Sequence, residues 1–330
     1  MTSQLPIVAI LATGGTIAGL LDSHSTDYKA GVLDIDSLIQ ALPQLQNIQK
    51  KISLHTEQIA NIDSAHMNEH IWLSLAQRVN ELLNNPDIQS IIITHGTDTL
   101  EESAFFLHLC TKSHKPIIFT GAMRPFDAPN YDGLHNLSNA LLLAINPHAQ
   151  NRGVIVTMND RIFGAQDVSK THTLSLDAFF APNNGDMGYI VGERIFFYTQ
   201  PSPRIHFFDI SSLQSLPRVE ILYSYAGDGL ATATLALVKE GLQALVIAGS
   251  GAGSIHINHK NILKTLMQEG LIVVQSSRIN SGRVLVSKED AHWGFIGSGG
   301  LNPQKARVLL LLSLTTTQDR AEIAHIFDAY

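Results

Sequence analysis
Two short stretches place hydroxyl groups where a nucleophile would be useful. Residues 7–19 read IVAILATGGTIAG, an apolar run that ends in Gly14-Gly15 with Thr13 and Thr16 on either side. Residues 94–103 read THGTDTLEES, with Thr97 and Asp98 following another apolar run. A glycine pair after a buried strand suggests a dinucleotide loop, but that pattern needs glycine at its first, third and sixth positions. Gly14 and Gly19 fit the first and sixth, and Thr16 holds the third. A side-chain hydroxyl there stands where a pyrophosphate requires bare backbone, so the stretch presents a hydroxyl rather than cradling a cofactor. Taken singly, Thr97 and Asp98 read as a helix cap and Thr16 as a turn residue. Their joint placement after two buried strands is what points to a site.

The elements that would position these residues follow from the apolar pattern. Ile7 to Leu11, Ser90 to Thr94, Pro116 to Gly121 and Gly153 to Met158 are short continuous apolar runs, as expected of parallel strands covered on both faces. Between them Trp72, Leu75, Val79 and Leu82 recur at helical spacing. Leu100, Ala104 and Leu107 do the same behind Asp98-x-x-Glu101, which resembles a capping box. This is the grammar of a doubly wound α/β domain, in which ligands bind beyond the carboxyl ends of the strands. Both hydroxyl-bearing stretches lie at such ends. Residues 1–200 are thus expected to form a large catalytic domain with a mostly parallel sheet. Residues 201–216, rich in proline, read as a linker. Residues 217–330 resume the alternation and read as a smaller α/β domain, with Asn302-Pro303 opening the helix that carries ARVLLLLSL.

Composition narrows the partners. The chain has 330 residues, 45% apolar and 15% charged, which suits a globular core rather than disorder. Its net charge of −7 and lack of a basic run argue against nucleic acid and anionic membranes. The lone cysteine, Cys110, allows no intrachain disulfide and fits a reducing compartment. The N-terminus MTSQLP has no basic segment before a hydrophobic one. The expected location is therefore cytoplasmic, or periplasmic if a signal peptide was removed beforehand.

LATGGTIAG and ITHGTDTLEES resemble the two signature segments of the bacterial L-asparaginase family, in its long type II pattern. GAMRP (121–125), NRGVIVTMND (151–160), DVSKTHT (167–173), SSRINSG (276–282) and LNPQKARVLL (301–310) agree as well, in one order over nearly the whole chain. The resemblance implies a threonine-nucleophile amidohydrolase that needs no cofactor and no metal. It assigns Thr16 as nucleophile, Tyr28 as its helper on a mobile lid, Thr97 as the second threonine and Lys170 as its hydrogen-bond partner. It assigns Asp98 to the substrate α-ammonium and Ser64 to the α-carboxylate. It further implies a homotetramer of two intimate dimers, with each site shared between subunits. The residues themselves agree with this chemistry. A neutral threonine needs a proton acceptor, and these motifs hold no obvious histidine base. Tyr28, or a relay through Thr97 and Lys170, is left to take the proton. The stretch from Gly19 to Gly31, polar between terminal glycines, suits a lid.

Three positions around the substrate amine depart from the family pattern. Ala65 replaces a glutamine or glutamate in Asn61-Ile62-Asp63-Ser64-Ala65. Ala252 replaces an asparagine in GSGAGS (249–254). Ser287 aligns with a glutamate, with Glu289 two residues on. One reading is drift, with Asp63, His66 or Glu289 taking over the contacts. The other is a pocket whose preferred substrate differs at its amine end. A disulfide carried by enterobacterial relatives is absent, since one partner aligns near Ser113. Two further patterns are decoys. HMNEH (66–70) has the spacing of a zinc-peptidase motif, but Asn68 reads as a cap that leaves His66 outside the helix. GSGAGS fails the dinucleotide pattern at Ser254. The leading function is hydrolysis of L-asparagine to L-aspartate and ammonia, with minor glutaminase activity. The alternatives are an ω-amidase for a related substrate with a different or missing α-amine, and a non-catalytic amino-acid sensor.

Overall fold
Strands buried on both faces need no polar alternation, and the first unit is built on several of them. The computed structural model describes residues 5–22, 28–42, 45–201, 206–227 and 229–330. The chain divides into two compact units, residues 1–214 and 215–330. In chain order the first holds strands β1 (Ile7–Gly14), β2 (Leu20–Leu21), β3 (Tyr28–Lys29), β4 (Ser53–Ile62), β5 (Ile88–Thr94), β6 (Ile117–Thr120), β7 (Val154–Met158), β8 (Arg161–Gly164), β9 (Ser169–Lys170), β10 (Phe179–Phe180), β11 (Gly188–Val191) and β12 (Arg194–Phe197). Its helices are α1 (Ile35–Gln40), α2 (Leu45–Gln49), α3 (Glu69–Asn84), α4 (Leu100–Cys110) and α5 (Gly133–Ala144).

Eight of these strands form one sheet in the order β12-β11-β8-β7-β6-β5-β1-β4. Pairing is parallel from β4 to β7 and antiparallel from β7 to β12. Val8, Ile10, Ala12, Ile92, Ile118 and Ile155 join one buried cluster with residues of α1 and α5. The intervening Ala9, Leu11, Ile91, Ile93, Phe119 and Val156 are also fully buried or nearly so, and strand geometry points them to the opposite face. There α3 packs against β4 and β5, and α4 against β7. Helices on both faces of a mostly parallel sheet make this a doubly wound α/β unit. Asn68 caps α3 by accepting the Ile71 N–H at 3.1 Å. That leaves His66 in a separate single turn, Ser64–His66.

The proline-rich stretch 201–216 includes residues 202–205, which lie outside the described residues. From 206 to 214 the chain packs on the first unit instead of running free. Phe208 and Ile210 are buried, Phe208 N–H donates to Leu109 O at 3.0 Å, and the Gln77 amide donates to Ile210 O and Leu213 O. Two apolar side chains among the prolines supply the packing energy that a free linker lacks.

The second unit holds β13 (Val219–Tyr223), α6 (Leu230–Lys239), β14 (Ala244–Gly249), α7 (Ile257–Gln268), β15 (Ile272–Ser277), α8 (Lys288–Trp293), β16 (Ile296–Gly297), α9 (Pro303–Ser313) and α10 (Arg320–Asp328). Its sheet is parallel throughout, in the order β13-β14-β15-β16. Leu245, Ile247 and Val273 pack with Leu263, Leu266 and Met267 of α7. Helix α9, with Val308 to Leu312 buried, lies against β13, β14 and β15. Asn302 caps α9 through the Lys305 N–H, and Pro303 is its first residue.

His95 follows β5 directly inside the first unit, fully buried beside the Phe119 ring at 5.8 Å between centroids. Its Nδ1 lies 2.7 Å from Gly96 O. Burial pushes the imidazole down from its ordinary 6.5 to about 4. The folded protein therefore holds His95 neutral at pH values where the unfolded chain already binds its proton. Stability from this group is complete above pH 6.5 and is lost as pH falls toward 4, by about 3 kcal/mol in total. Urea unfolding of wild type and His95→Gln across this range is expected to show a shallower acid loss in the variant, by about that amount. Parallel pH profiles would contradict the assignment.

Candidate active site
The site begins with a register. β1 and β5 are adjacent and parallel, with Ala12 opposite Thr94, so the segments leaving them run side by side. The Thr13 hydroxyl donates to Thr94 O at 3.0 Å and ties the two ends together. Beyond them the backbones of Gly15 and Gly96 touch. A Cβ on Gly15 would fall 2.3 Å from Gly96 Cα, and one on Gly96 would fall 2.5 Å from Ser64 Oγ. Gly14 and Gly15 also hold φ of 95° and 84°, a region L side chains rarely adopt. Glycine is therefore required on both segments, and Thr16 and Thr97 each follow the point of contact by one residue. That is the reason for a glycine pair between threonines.

Thr16 opens a single turn, Thr16–Ala18, and is 7% exposed. Its Oγ1 lies 3.0 Å from Tyr28 Oη, and either can be the donor. Tyr28 stands on β3, paired antiparallel with β2 so that Leu21 faces Tyr28. Residues 23–27 of the expected lid lie outside the described residues. The turn is held from below: the half-buried Tyr131 phenol donates to Ile17 O at 2.7 Å, Phe126 N–H donates to Gly19 O at 2.8 Å, and Asp127 accepts the Leu21 N–H at 2.8 Å. Burial pushes the Tyr131 phenol well up, so it acts as a neutral donor. The FDAPNY stretch that supplies these supports has no periodicity to reveal it in the sequence.

The second hydroxyl has its own partner. Lys170 Nζ donates to Thr97 Oγ1 at 2.9 Å and reaches Asp98 Oδ1 at 2.5 Å. An ammonium carries donors only, so Thr97 Oγ1 accepts here and its own proton is directed elsewhere. Ser64 joins the same group: its Oγ accepts the Asp98 N–H at 3.2 Å, and its carbonyl accepts the Thr99 hydroxyl at 2.9 Å. Asp63 starts the turn beneath Ser64 by accepting the Ala65 N–H at 2.9 Å. The Ala65 side chain is an exposed methyl group with nothing polar to offer a ligand.

The capping-box expectation for Asp98 and Glu101 is corrected by this geometry. Helix α4 starts at Leu100 with Thr99 as its cap residue and no side-chain cap. The Asp98 carboxylate is drawn to Lys170 instead, a charged partner that local sequence does not contain. Glu101 Oε2 accepts the backbone N–H of Lys170 at 2.6 Å, a role the sequence did not reveal.

Ala252 and Glu289 belong to the second unit and are not among the residues the first unit gathers. Ala252 is exposed in the tight turn from Ser250 to Ser254, where Gly251 and Gly253 have φ of 53° and 95°. Glu289 is 71% exposed and binds Lys264 Nζ at 3.1 Å. The Ser287 hydroxyl caps α8 by accepting the Asp290 N–H. Among the described residues no group of histidine, cysteine, aspartate and glutamate side chains is arranged to hold a metal ion, and no helix is long and apolar enough to cross a membrane.

Two threonine hydroxyls thus stand one residue beyond the glycine contact, Thr16 bonded to a phenol and Thr97 to an amine. Either pair can pass a proton as a threonine oxygen attacks a carbonyl. Comparison with known proteins places this arrangement in context. Residues 7–203 match the family model "Asparaginase, N-terminal", and residues 218–327 match "Glutaminase/Asparaginase C-terminal domain". The chain is 43% identical to L-asparaginase 2 of Escherichia coli and 41% identical to the probable periplasmic L-asparaginase of Haemophilus influenzae, in each case over 99% of this chain and 94% of the relative. The crystal structure of a probable cytoplasmic L-asparaginase from Campylobacter jejuni superposes with a TM-score of 0.94 at 50% identity, covering 98% of this chain and all of that one. With both units matched and relatives spanning almost its whole length, the chain belongs to the asparaginase family.

Proposed function
We propose that the protein hydrolyses L-asparagine to L-aspartate and ammonia, with minor glutaminase activity, through Thr16 as nucleophile. The observation that carries this reading is the 3.0 Å contact between Thr16 Oγ1 and Tyr28 Oη, together with a second hydroxyl, that of Thr97, held by Lys170. Thr16 attacks the side-chain amide carbon and passes its proton toward the departing nitrogen by way of Tyr28. Ammonia leaves, and an acyl-enzyme ester on Thr16 remains. Water, polarised by Thr97 with Lys170 behind it, then cleaves the ester and returns the proton to Thr16. Backbone N–H groups beside the touching glycines receive the oxyanion, each such donor being worth about 3 kcal/mol. Asp98 receives the α-ammonium and Ser64 the α-carboxylate.

A second reading has its own observation. Ala65 and Ala252 offer no polar atom at positions the family uses for the amine. Each lost hydrogen bond to a charged group costs about 1.5–3 kcal/mol. Two uncompensated losses weaken transition-state binding about a hundredfold or more, which would favour an ω-amidase for a substrate with a different or missing α-amine. The family resemblance supports a homotetramer in which the loop 249–256 of one subunit serves the site of its neighbour. The cytoplasm is the location we favour, and the named relatives include both cytoplasmic and periplasmic enzymes.

Ammonia release from L-asparagine, D-asparagine, glutamine and succinamate tests both readings. L-asparagine is expected to have the highest kcat/KM, and Thr16→Ala is expected to abolish turnover of every substrate in the panel. Equal rates in wild type and Thr16→Ala would remove Thr16 from the mechanism, and a preference for succinamate would favour the ω-amidase.

Tyr28→Phe removes only the phenol oxygen and leaves the ring. It is expected to lower kcat far more than it raises KM, because the lost contact serves proton transfer rather than binding. An unchanged kcat would move the proton to Lys170 through Thr97.

Ala252→Asn is expected to lower KM for L-asparagine by about fivefold with a smaller change in kcat, the effect of one added hydrogen bond worth about 1 kcal/mol. Native mass measurement is expected to give a tetramer. A fully active monomer would exclude a shared site, and a tetramer with unchanged KM would mean that the amine is held without this loop.

A further inference from the structure
Lys170 is placed by its backbone as well as by its side chain. It lies on β9, a two-residue strand whose sheet has β10 as its other member. The neighbouring Thr171 N–H donates to Ala178 O at 2.8 Å. Successive N–H groups along a strand point to opposite edges, so the Lys170 N–H faces away from β10, where this ladder has no third strand among the described residues. Glu101 meets that edge. Its Oε2 accepts the Lys170 N–H at 2.6 Å, and the residue is only 4% exposed. It stands in the first turn of α4, a place that favours a carboxylate electrostatically. The start of α4 follows directly on Thr97 and Asp98, the two groups that receive Lys170 Nζ. One short segment therefore grips Lys170 twice, by the ammonium through Thr97 and Asp98 and by the backbone through Glu101.

We propose that Glu101 is a positioning residue of the hydrolytic site: its buried carboxylate fixes the backbone of Lys170 to the start of α4 and so sets the reach of Nζ to Thr97. A lysine side chain is long and flexible, and its tip is only as well placed as its Cα and its own hydrogen bonds. A hydrogen bond to an ionised carboxylate is short and about twice as strong as a neutral one. Losing it removes the carboxylate's hold on the Lys170 backbone, and a displacement of about 1 Å at a reacting group can cost about a hundredfold in rate. The kinetic consequence rests on the amidohydrolase reading above; the structural consequence does not.

Three substitutions grade the contact. Glu101→Gln keeps an acceptor oxygen at the same reach, Glu101→Asp withdraws it by one methylene, and Glu101→Leu removes it. Each is made alone and with Lys170→Met. Turnover of L-asparagine is measured beside amide hydrogen exchange in residues 168–172. The Asp and Leu variants are expected to lose about tenfold or more in kcat with KM within about threefold, and Gln to restore kcat to within about threefold of wild type. In the Lys170→Met background the Asp and Leu losses are expected to disappear, as for two residues acting through one interaction. Exchange at Lys170 is expected to quicken about tenfold or more in Asp and Leu and to stay slow in Gln. If the Leu variant does not fold, the Asp variant carries every comparison. Wild-type kcat in the Asp variant, losses that persist in full beside Lys170→Met, or unchanged exchange at Lys170 each overturn the proposal. A Lys170→Met enzyme as active as wild type overturns the role given to Lys170 in turnover, and the exchange rates then decide on Glu101 alone.

Discussion
The contact between the Gly15 and Gly96 backbones is the constraint on which the site depends. It exists because β1 and β5 are neighbours in a parallel sheet, in a register that sets Ala12 beside Thr94. Parallel strands deliver their carboxyl ends to one edge, so loops that follow them meet there. A Cβ on either glycine would drive the two segments apart, and with them Thr16 and Thr97. Ser64 is drawn into the same contact from β4, the other neighbour of β1: its Oγ lies where a Gly96 side chain would otherwise stand. Three loops from three adjacent strands thus share one point of closest approach.

Around that point the residues divide by exposure. Thr16, Thr97 and Ser64 are buried and follow the ends of three strands of the large sheet. Tyr28 and Asp98 are exposed, and Tyr28 stands on a two-residue strand. Groups that must be held in fixed geometry are best carried by rigid elements whose neighbours lock them. Tyr28 is carried instead by the small β2–β3 hairpin, which lies outside the large sheet. The hydrogen bonds from Tyr131, Phe126 and Asp127 hold the base of that hairpin without burying Tyr28.

In the second unit, Ser287 and Glu289 make local contacts. The Ser287 hydroxyl caps α8, and Glu289 pairs with Lys264, whose ammonium also lies 4.7 Å from the Trp293 ring. A cap typically contributes about 1 kcal/mol, and a partly exposed ion pair between two helices, such as Lys264 with Glu289, contributes about 0–1 kcal/mol. These are local gains that explain the residues present without reference to substrate. The turn around Ala252 is fixed by backbone bonds between Ser250 and Ser254 and by Gln275, whose amide donates to Gly253 O at 2.7 Å. Its shape is therefore independent of what the side chain at position 252 is.

What the sequence determined by itself is what depends on neighbours along the chain. The continuous apolar runs marked β1, β5, β6 and β7, since a strand covered on both faces has no polar side to hide. The Trp72/Leu75/Val79 stripe marked α3, and Asn68 and Asn302 marked two helix starts, because a cap reaches only two or three residues ahead. Thr16 and Thr97 stood out for the same local reason, each beyond a strand and beside glycine. Tertiary structure decided whatever depends on partners far along the chain. Asp98 looked like a cap in sequence, yet its carboxylate goes to Lys170, 72 residues away. Glu101 looked like the other half of that cap, yet it holds the Lys170 backbone from 69 residues away. The stretch from 206 to 214 looked like a linker until Phe208 and Ile210 found a surface to bury against. An ionic or buried contact outweighs a local turn preference, and only the fold brings such partners within reach.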